Sequence, residues 1–293
     1  DERTFRRDPL RAIRAAQFAA RLEFAIAPET MALCRTLDLD GLARERVMGE
    51  MEKALTRSRR PSRCFEALRE MGQLEPWLKE VAALIGVKQR ADCHPEGDAW
   101  THTMLVVDEA AKLRDEAKNP TGLMLAALLH DVGKAVAMQE KDGVIHAYGH
   151  ETAGVPLAED FLRRLTGEKA LCRYVLNMVE LHMKPNMYAA QNSGQKAWNR
   201  LFDRSACPED LLLLAKADHR GRINAAPYAE TERTIRARLS AYEEMMARPH
   251  ITGADLLARG IQPGEEMGRL LEEAHRLRLA GVKKEDALRQ MRL

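Results

Sequence analysis

Cysteine, aromatic residues and long apolar runs are all scarce in this chain of 293 residues. The five cysteines, Cys34, Cys64, Cys93, Cys172 and Cys207, stand singly. No C-x-x-C pair joins them, so neither a zinc knuckle nor a disulfide framework is indicated. Reduced thiols and a cytoplasmic location are expected. Aromatics make up only 5% of the residues. β-branched residues are sparse, and no stretch alternates strictly enough to argue for a sheet. No apolar run approaches the roughly 20 residues of a membrane span. No secretory signal is visible, so no membrane partner is expected. The net charge of +2 does not announce nucleic acid. An initiator methionine is lacking too: the sequence opens Asp1-Glu2-Arg3, and a longer protein is expected around it.

What is abundant favours helix. Charged residues reach 31%, and Ala, Leu, Glu, Arg and Met dominate. The length suits two or three domains or one extended helical array. Apolar positions three and four apart predict an amphipathic helix over 4–24, with Asp8 as cap and Pro9 at its first position. Further helices are predicted over 28–37, 41–57, 62–71, 75–85, 100–118, 122–130, 149–165, 168–182, 194–202 and 208–217. Cys93 to Asp98 and Lys184 to Met187 read as loops, Lys141-Asp142-Gly143 as a turn. Two more helices fill 228–293. Arg57, Arg59, Arg60 and Arg63 cluster around Pro61, either as a solvated turn or as contacts to a phosphate backbone.

The chain is organised around Leu128-Leu129-His130-Asp131-Val132-Gly133-Lys134. Adjacent His and Asp at the end of a buried helix can both face one cation, as a borderline nitrogen and a hard anionic oxygen. Lys134 suits a phosphate oxygen. Four more ligand candidates follow the same logic, each on its own element: His102, His150, His182 and Asp218. A bundle can gather such positions into one cleft. One Asp shared by two divalent ions would then serve phosphoryl chemistry.

The order His…His-Asp…His…His…Asp at these spacings resembles the HD superfamily of metal-dependent phosphohydrolases. His102, His130, Asp131 and Asp218 match its four-ligand core, and His150 and His182 the two extra ligands of its binuclear members. His-Pro-Glu-Gly-Asp before His102, Gly-His-Glu at 149–151 and Ala-Asp-x-Arg-Gly-Arg at 217–222 agree. The resemblance implies one or two divalent ions (Mg, Mn, Ni or Fe). It also implies activity on 2′,3′-cyclic phosphates, 2′-nucleotides or other phosphoesters. Lys134 and Arg220 are candidate phosphate contacts. His94 reads as a loop or supporting residue, His146 as a surface residue or substrate contact, and His219 as facing away. His250 and His275 are background.

A wider resemblance covers nearly the whole chain. Arg7-Asp8-Pro9-Leu10-Arg11, continuing through Arg14 to Leu22, is similar to the neck of class II tRNA nucleotidyltransferases, the CCA-adding enzymes and poly(A) polymerases. There an Asp and an Arg read the base of the incoming nucleotide; Asp8 and Arg11 stand at the matching positions, with Arg14 one turn on. Arg7 departs from the family's usual Glu. Glu45-Arg46 to Lys53 resembles the following body segment. Ile251-Thr252-Gly253-Ala254-Asp255 and Gln262-Pro263-Gly264-Glu265 resemble its C-terminal module. The resemblance implies tRNA as partner, with Arg57, Arg59, Arg60 and Arg63 as RNA contacts, and ATP and CTP as cofactors of the parent enzyme. The family's β-rich catalytic head, with its Gly-Ser and Asp-x-Asp motifs, is not found; Asp38-Leu39-Asp40 has the spelling but not the context. The expected fold is all-α, an elongated helical array with a central HD-type bundle. Neck and body are expected over 1–90, the HD domain over 91–222 and a helical tail over 223–293. The alternatives are a stand-alone HD protein, either a di-iron oxygenase or a non-catalytic tRNA-binding module.

Overall fold

The computed structural model describes residues 2–90, 95–141 and 144–293. The predicted loop at Cys93-His94 and the turn at Asp142-Gly143 lie outside them. The described chain is all-α apart from one short hairpin. The first helices are α1 (Glu2–Arg7), α2 (Leu10–Leu22), α3 (Pro28–Cys34), α4 (Arg44–Arg57), α5 (Ser62–Glu70) and α6 (Lys79–Ala82). Next come α7 (Ala99–Leu113), α8 (Pro120–Leu129) and α9 (Lys134–Ala137). The antiparallel pair β1 (Gln139–Lys141) and β2 (Val144–His146) follows, with Glu140 opposite Ile145. Then come α10 (His150–Leu165), α11 (Lys169–Leu181), α12 (Met183–Ala190), α13 (Gln195–Arg204) and α14 (Pro208–Arg220). The last four are α15 (Ala229–Ala247), α16 (Gly253–Leu257), α17 (Glu265–Leu279) and α18 (Lys284–Gln290). No described helix is long and apolar enough to cross a membrane.

The chain packs into two compact units, residues 1–185 with 209–228, and residues 186–208 with 229–293. The three consecutive spans expected from sequence are therefore not how the helices group. The N-terminal helices share one unit with the metal-ligand region, because α4 packs on α8 and α10, and α5 on α7. In the second unit Trp198 is fully buried, stacked on Phe202 with ring centroids 5.5 Å apart. Asn199 Nδ2 donates to the Leu279 carbonyl at 2.9 Å. A reciprocal capping box joins Thr252 and Asp255 at the start of α16.

Several local expectations are corrected. The helix predicted over 4–24 is two helices, because Pro9 lacks the N–H that would continue α1. Asp8 does not cap α2; its two oxygens accept from Arg46 Nη2 at 3.0 and 2.9 Å. The stretch 75–85 holds only α6. Residues 184–187 are not a loop: they begin α12, whose first turn tolerates Pro185 because the opening amides of a helix have no intrahelical acceptor. The tail holds four helices rather than two.

The core of the first unit is α8. Every residue from Leu123 to Leu129 is fully buried, as expected of a helix apolar on all sides. Asn119 caps it, accepting from Gly122 N at 2.9 Å, with Pro120 in the first turn. α7, α11 and α4 pack around it. Asp210, itself fully buried, ties the entrance of α8 to α14 and α11: it accepts from Lys118 N at 2.8 Å, Asn119 N at 3.0 Å and Tyr174 Oη at 2.6 Å.

Beyond α8 the backbone of Gly133 presses on α10. A Cβ there would meet the His150 carbonyl oxygen at 2.0 Å and Gly154 N at 2.5 Å. Both are backbone atoms and cannot swing away. Gly133→Ala is expected to destabilise the fold by about 2–3 kcal/mol, at the upper end of ordinary overpacking. Chemical denaturation measures this; a variant as stable as the parent refutes the close approach.

Candidate metal centre

The fold delivers one ligand candidate from each of several elements. Asp98 caps α7, accepting from Thr101 N at 2.9 Å, which sets His102 one turn into that helix. His130 and Asp131 follow the last residue of α8 directly. Gly149, with φ of 74°, occupies the left-handed region and turns the chain from β2 into α10, so that His150 opens the helix. His182 stands at the junction of α11 and α12. Asp218 does not close its helix; α14 runs on to Arg220.

These six side chains converge, and all six are buried. Asp131 is their common member. Its Oδ2 lies 3.2 Å from His130 Nε2 and 3.8 Å from His102 Nε2. Its Oδ1 lies 3.2 Å from His150 Nε2 and 3.8 Å from His182 Nε2. His102 Nε2 is also 3.1 Å from Asp218 Oδ1. Two overlapping clusters result, His102–His130–Asp131 and Asp131–His150–His182. In each, the ligand atoms lie within 4.8 Å of one another.

The far side of every imidazole is fixed. His130 Nδ1 lies 2.9 Å from the Ala127 carbonyl, His150 Nδ1 2.8 Å from that of Ala147, and His182 Nδ1 2.8 Å from that of Val179. His102 Nδ1 meets Glu96 Oε1 at 2.8 Å. A carbonyl only accepts, so the Nδ1 facing it carries the proton, and Nε2 of the neutral ring keeps its lone pair toward the centre. Carbonyl or carboxylate support behind a ligating His is the usual arrangement at metal sites.

Electrostatics point the same way. Burial would raise the pKa values of Asp131 and Asp218, but neighbouring charge wins: His130 and Lys134 for the first, the His102 hydrogen bond and Arg222 for the second. Both are held well below the carboxylate range. Burial, reinforced by His130, pushes His182 down to about 3, so it is neutral. Burial opposes protonation of His102 and His150 as well, but hydrogen bonds to Asp218 and Glu96 raise the first, and that to Asp131 raises the second. His130 Nε2 and Asp131 Oδ2 are buried without a hydrogen bond of acceptable geometry. Such orphaned acceptors are costly unless something positive meets them. Four imidazoles and two ionised carboxylates around them fit one or two divalent cations, which would displace protons from the ring nitrogens.

A cavity of about 220 Å³ opens on this cluster, lined in part by Asp131, His150 and Asp218. Lys134 reaches it with its ammonium held 2.6 Å from Asp131 Oδ2 and 2.5 Å from Gln89 Oε1. Arg220 is exposed and does not line the cavity; Arg222 does, its Nη2 3.5 Å from Asp218 Oδ2. Four residues along a helical path separate Asp218 from Arg222, so i,i+4 spacing identifies the pair. His146 lines the cavity too. His219 instead meets the Ala226 carbonyl at 2.8 Å, His250 the Val282 carbonyl at 3.2 Å and His275 Asp203 at 2.9 Å.

The neck candidates lie apart on α2. Arg14 pairs with Glu50 at 3.0 Å, and Arg11 Nε is buried without a partner. Asp8 is held below its usual pKa by the Arg46 hydrogen bond. Arg57, Arg59 and Arg60 are exposed and Arg63 is half-buried. Arg60 reaches Asp108 of α7 at 3.3 Å.

Comparison with known proteins agrees with this arrangement. The HD domain family matches residues 99–239. A family described as the probable RNA and SrmB-binding site of polymerase A matches residues 23–85. The multifunctional CCA protein of Burkholderia cenocepacia (strain HI2424) is 38% identical over 291 residues, 95% of this chain and 66% of its own length. That of Actinobacillus pleuropneumoniae serotype 5b (strain L20) is 34% identical over 295 residues, 95% and 68% of the two lengths. The chain thus spans 66 to 68% of these curated relatives. Two solved structures share the fold across 99% of the chain. An apo CCA-adding enzyme has a TM-score of 0.59 at 13% identity, with 60% of its own length covered. The Thermotoga maritima CCA-adding enzyme, solved with tRNA, has 0.56 at 14%, with 63% covered. With HD-type ligands, a polymerase-type RNA-binding region and relatives of this identity along one sequence, the chain belongs to the family of bacterial multifunctional CCA proteins and carries that family's HD domain.

Proposed function

We propose that the HD centre is a divalent-metal phosphohydrolase acting on 2′,3′-cyclic phosphates, 2′-nucleotides or other phosphoesters. The chain itself is proposed to be part of an enzyme that completes tRNA 3′ ends with CCA from ATP and CTP. One observation carries the hydrolase reading: Asp131 turns one oxygen to His102 and His130 and the other to His150 and His182. A divalent pair there supplies an activated water and Lewis-acid stabilisation of a phosphoryl oxygen. The protein's own groups do the rest. Nδ1 contacts hold each imidazole in register. Lys134 turns one donor to Asp131 and one to Gln89, and keeps the third for a phosphate oxygen. Arg222 takes the phosphate role that the sequence assigned to Arg220.

The tRNA reading draws on the polymerase-type region at 23–85 and on the likeness to an enzyme solved with tRNA. Arg11, with an unpartnered Nε, and Arg14 are proposed to meet the incoming nucleotide beside Asp8. Exposed Arg57 and Arg59, with Arg60 and Arg63 behind them, are proposed to meet the RNA backbone.

The expected outcome is turnover of 2′,3′-cAMP by protein supplied with Mn²⁺, Ni²⁺, Mg²⁺ or Fe²⁺. His130→Ala and Asp131→Asn should each lower kcat/KM by more than about a hundredfold, since changes merely behind a ligand already cost 10–100-fold. Absence of turnover with all four ions refutes the reading. Metal uptake should also depend on pH with a defined sign. Cation binding needs unprotonated Nε2 atoms, and the raised pKa values of His102 and His150 begin the competition with protons above the ordinary imidazole value of about 6.5. Mn²⁺ affinity, read by titration calorimetry, should therefore be weaker at pH 6 than at pH 8; equal affinity at both contradicts it.

A further inference from the structure

The cavity beside Asp131 contains more than ligands. Gln89 is nine-tenths buried and lines it. Its orientation is dictated by Lys134: an ammonium only donates, so the atom 2.5 Å from Nζ must be the amide oxygen. The amide nitrogen is left over, buried and without a partner. On the other flank Arg222 Nε is likewise buried and unpartnered, while its Nη2 approaches Asp218. Two unpartnered donors thus lie on residues that line the cavity: Gln89 beside Lys134, and Arg222 beside Asp218. A buried donor without an acceptor is costly.

The outer wall is of another kind. Met138, Ile145 and Met183 give it an apolar lining. At its rim Tyr148 is 83% exposed and stacked on His146, with ring centroids 4.9 Å apart and planes within 15°. His146 ends β2 and Tyr148 lies in the turn that leads to α10, so the same turn that presents His150 presents this stack. Exposed aromatics beside a polar cavity offer a π-face to a planar ring, and every base has one.

We infer that Gln89 and Arg222 donate to the non-bridging oxygens of a bound phosphate, and that the Tyr148–His146 stack receives an aromatic base attached to it. These four side chains would then make the centre prefer a nucleotide among its phosphoesters to the same phosphate without a base. This inference rests on the phosphohydrolase reading for its chemistry, but its recognition residues can be tested by binding alone.

The test compares AMP with ribose 5-phosphate in binding to Mn²⁺-loaded protein by titration calorimetry. It also compares 2′,3′-cAMP with ribose 2,3-cyclic phosphate in turnover; each pair differs by the base. The parent should prefer AMP by about tenfold or more, the value of one stacked base. Tyr148→Ala should remove that preference while leaving ribose 5-phosphate unchanged, and Tyr148→Phe should keep it. Gln89→Glu retains an acceptor for Lys134 but lacks the donor, so it should weaken both ligands by about tenfold. Equal affinity for AMP and ribose 5-phosphate, or an AMP preference that survives Tyr148→Ala, overturns the base platform. Unchanged binding in Gln89→Glu overturns the donor role. A Tyr148-dependent AMP preference without turnover of either cyclic phosphate upholds the recognition residues and sinks the hydrolase reading. Equal turnover of the two cyclic phosphates does the reverse.

Discussion

A single carboxylate, buried and ionised, governs the middle of this molecule. Asp131 sits at the end of a helix with no exposed face, where burial alone would protonate it. It stays charged because Lys134 and the histidines around it compensate. Removing any one compensating group would leave uncompensated charge in a medium where the cost is several kcal/mol. The surrounding helices are therefore constrained to bring imidazoles to this point. Their caps, junctions and close approaches make sense as ways of doing so.

The candidate ligands come from four or more elements that are distant in sequence. Each is anchored through its backbone neighbourhood rather than through another ligand: carbonyls of Ala127, Ala147 and Val179 orient three of the rings. Glu96 does the same for His102 and also accepts from Ile223 N at 3.4 Å, linking the loop before α7 to the segment after α14. The geometry is thus built by secondary structure. That is the preorganisation a catalytic or binding site needs.

How much of this could be read from residues alone depended on the range of the signal. The six side chains that converge were legible as candidates because His and Asp at helix ends are conspicuous, and because their order resembles a known family. The helix of 122–130 was legible because a run without polar residues leaves no other place for it. Asp8-Pro9 was legible as a helix start, but neither as a break in the helix read over 4–24 nor as a partner: Arg46, 38 residues away, claims the carboxylate, and no local pattern encodes that. Gln89 carries no motif at all; its significance exists only because Lys134 fixes which end of the amide faces away. Arg220 and Arg222 differ by two positions on a helical path, enough to turn one outward and one inward. The grouping into two units escaped a left-to-right reading, because residues 186–208 fold with the C-terminal helices while 209–228 return to the first unit.

The helix α8 imposes a schedule as well as a structure. Its apolar surface is covered on one side by α4 and α7, which precede it, and on another by α11, which follows. From Leu129 to Leu181 the ribosome must add 181 − 129 = 52 residues before that last face can be closed. At roughly 5–20 residues per second this is about 3–10 s. During that interval the most hydrophobic segment of the chain is made but not yet enclosed. The same residues that later position Asp131 are, for those seconds, a sticky surface on a nascent chain. Synthesis speed between α8 and α11, and whatever shields the emerging helix, therefore set how many copies reach the state in which the six ligands meet.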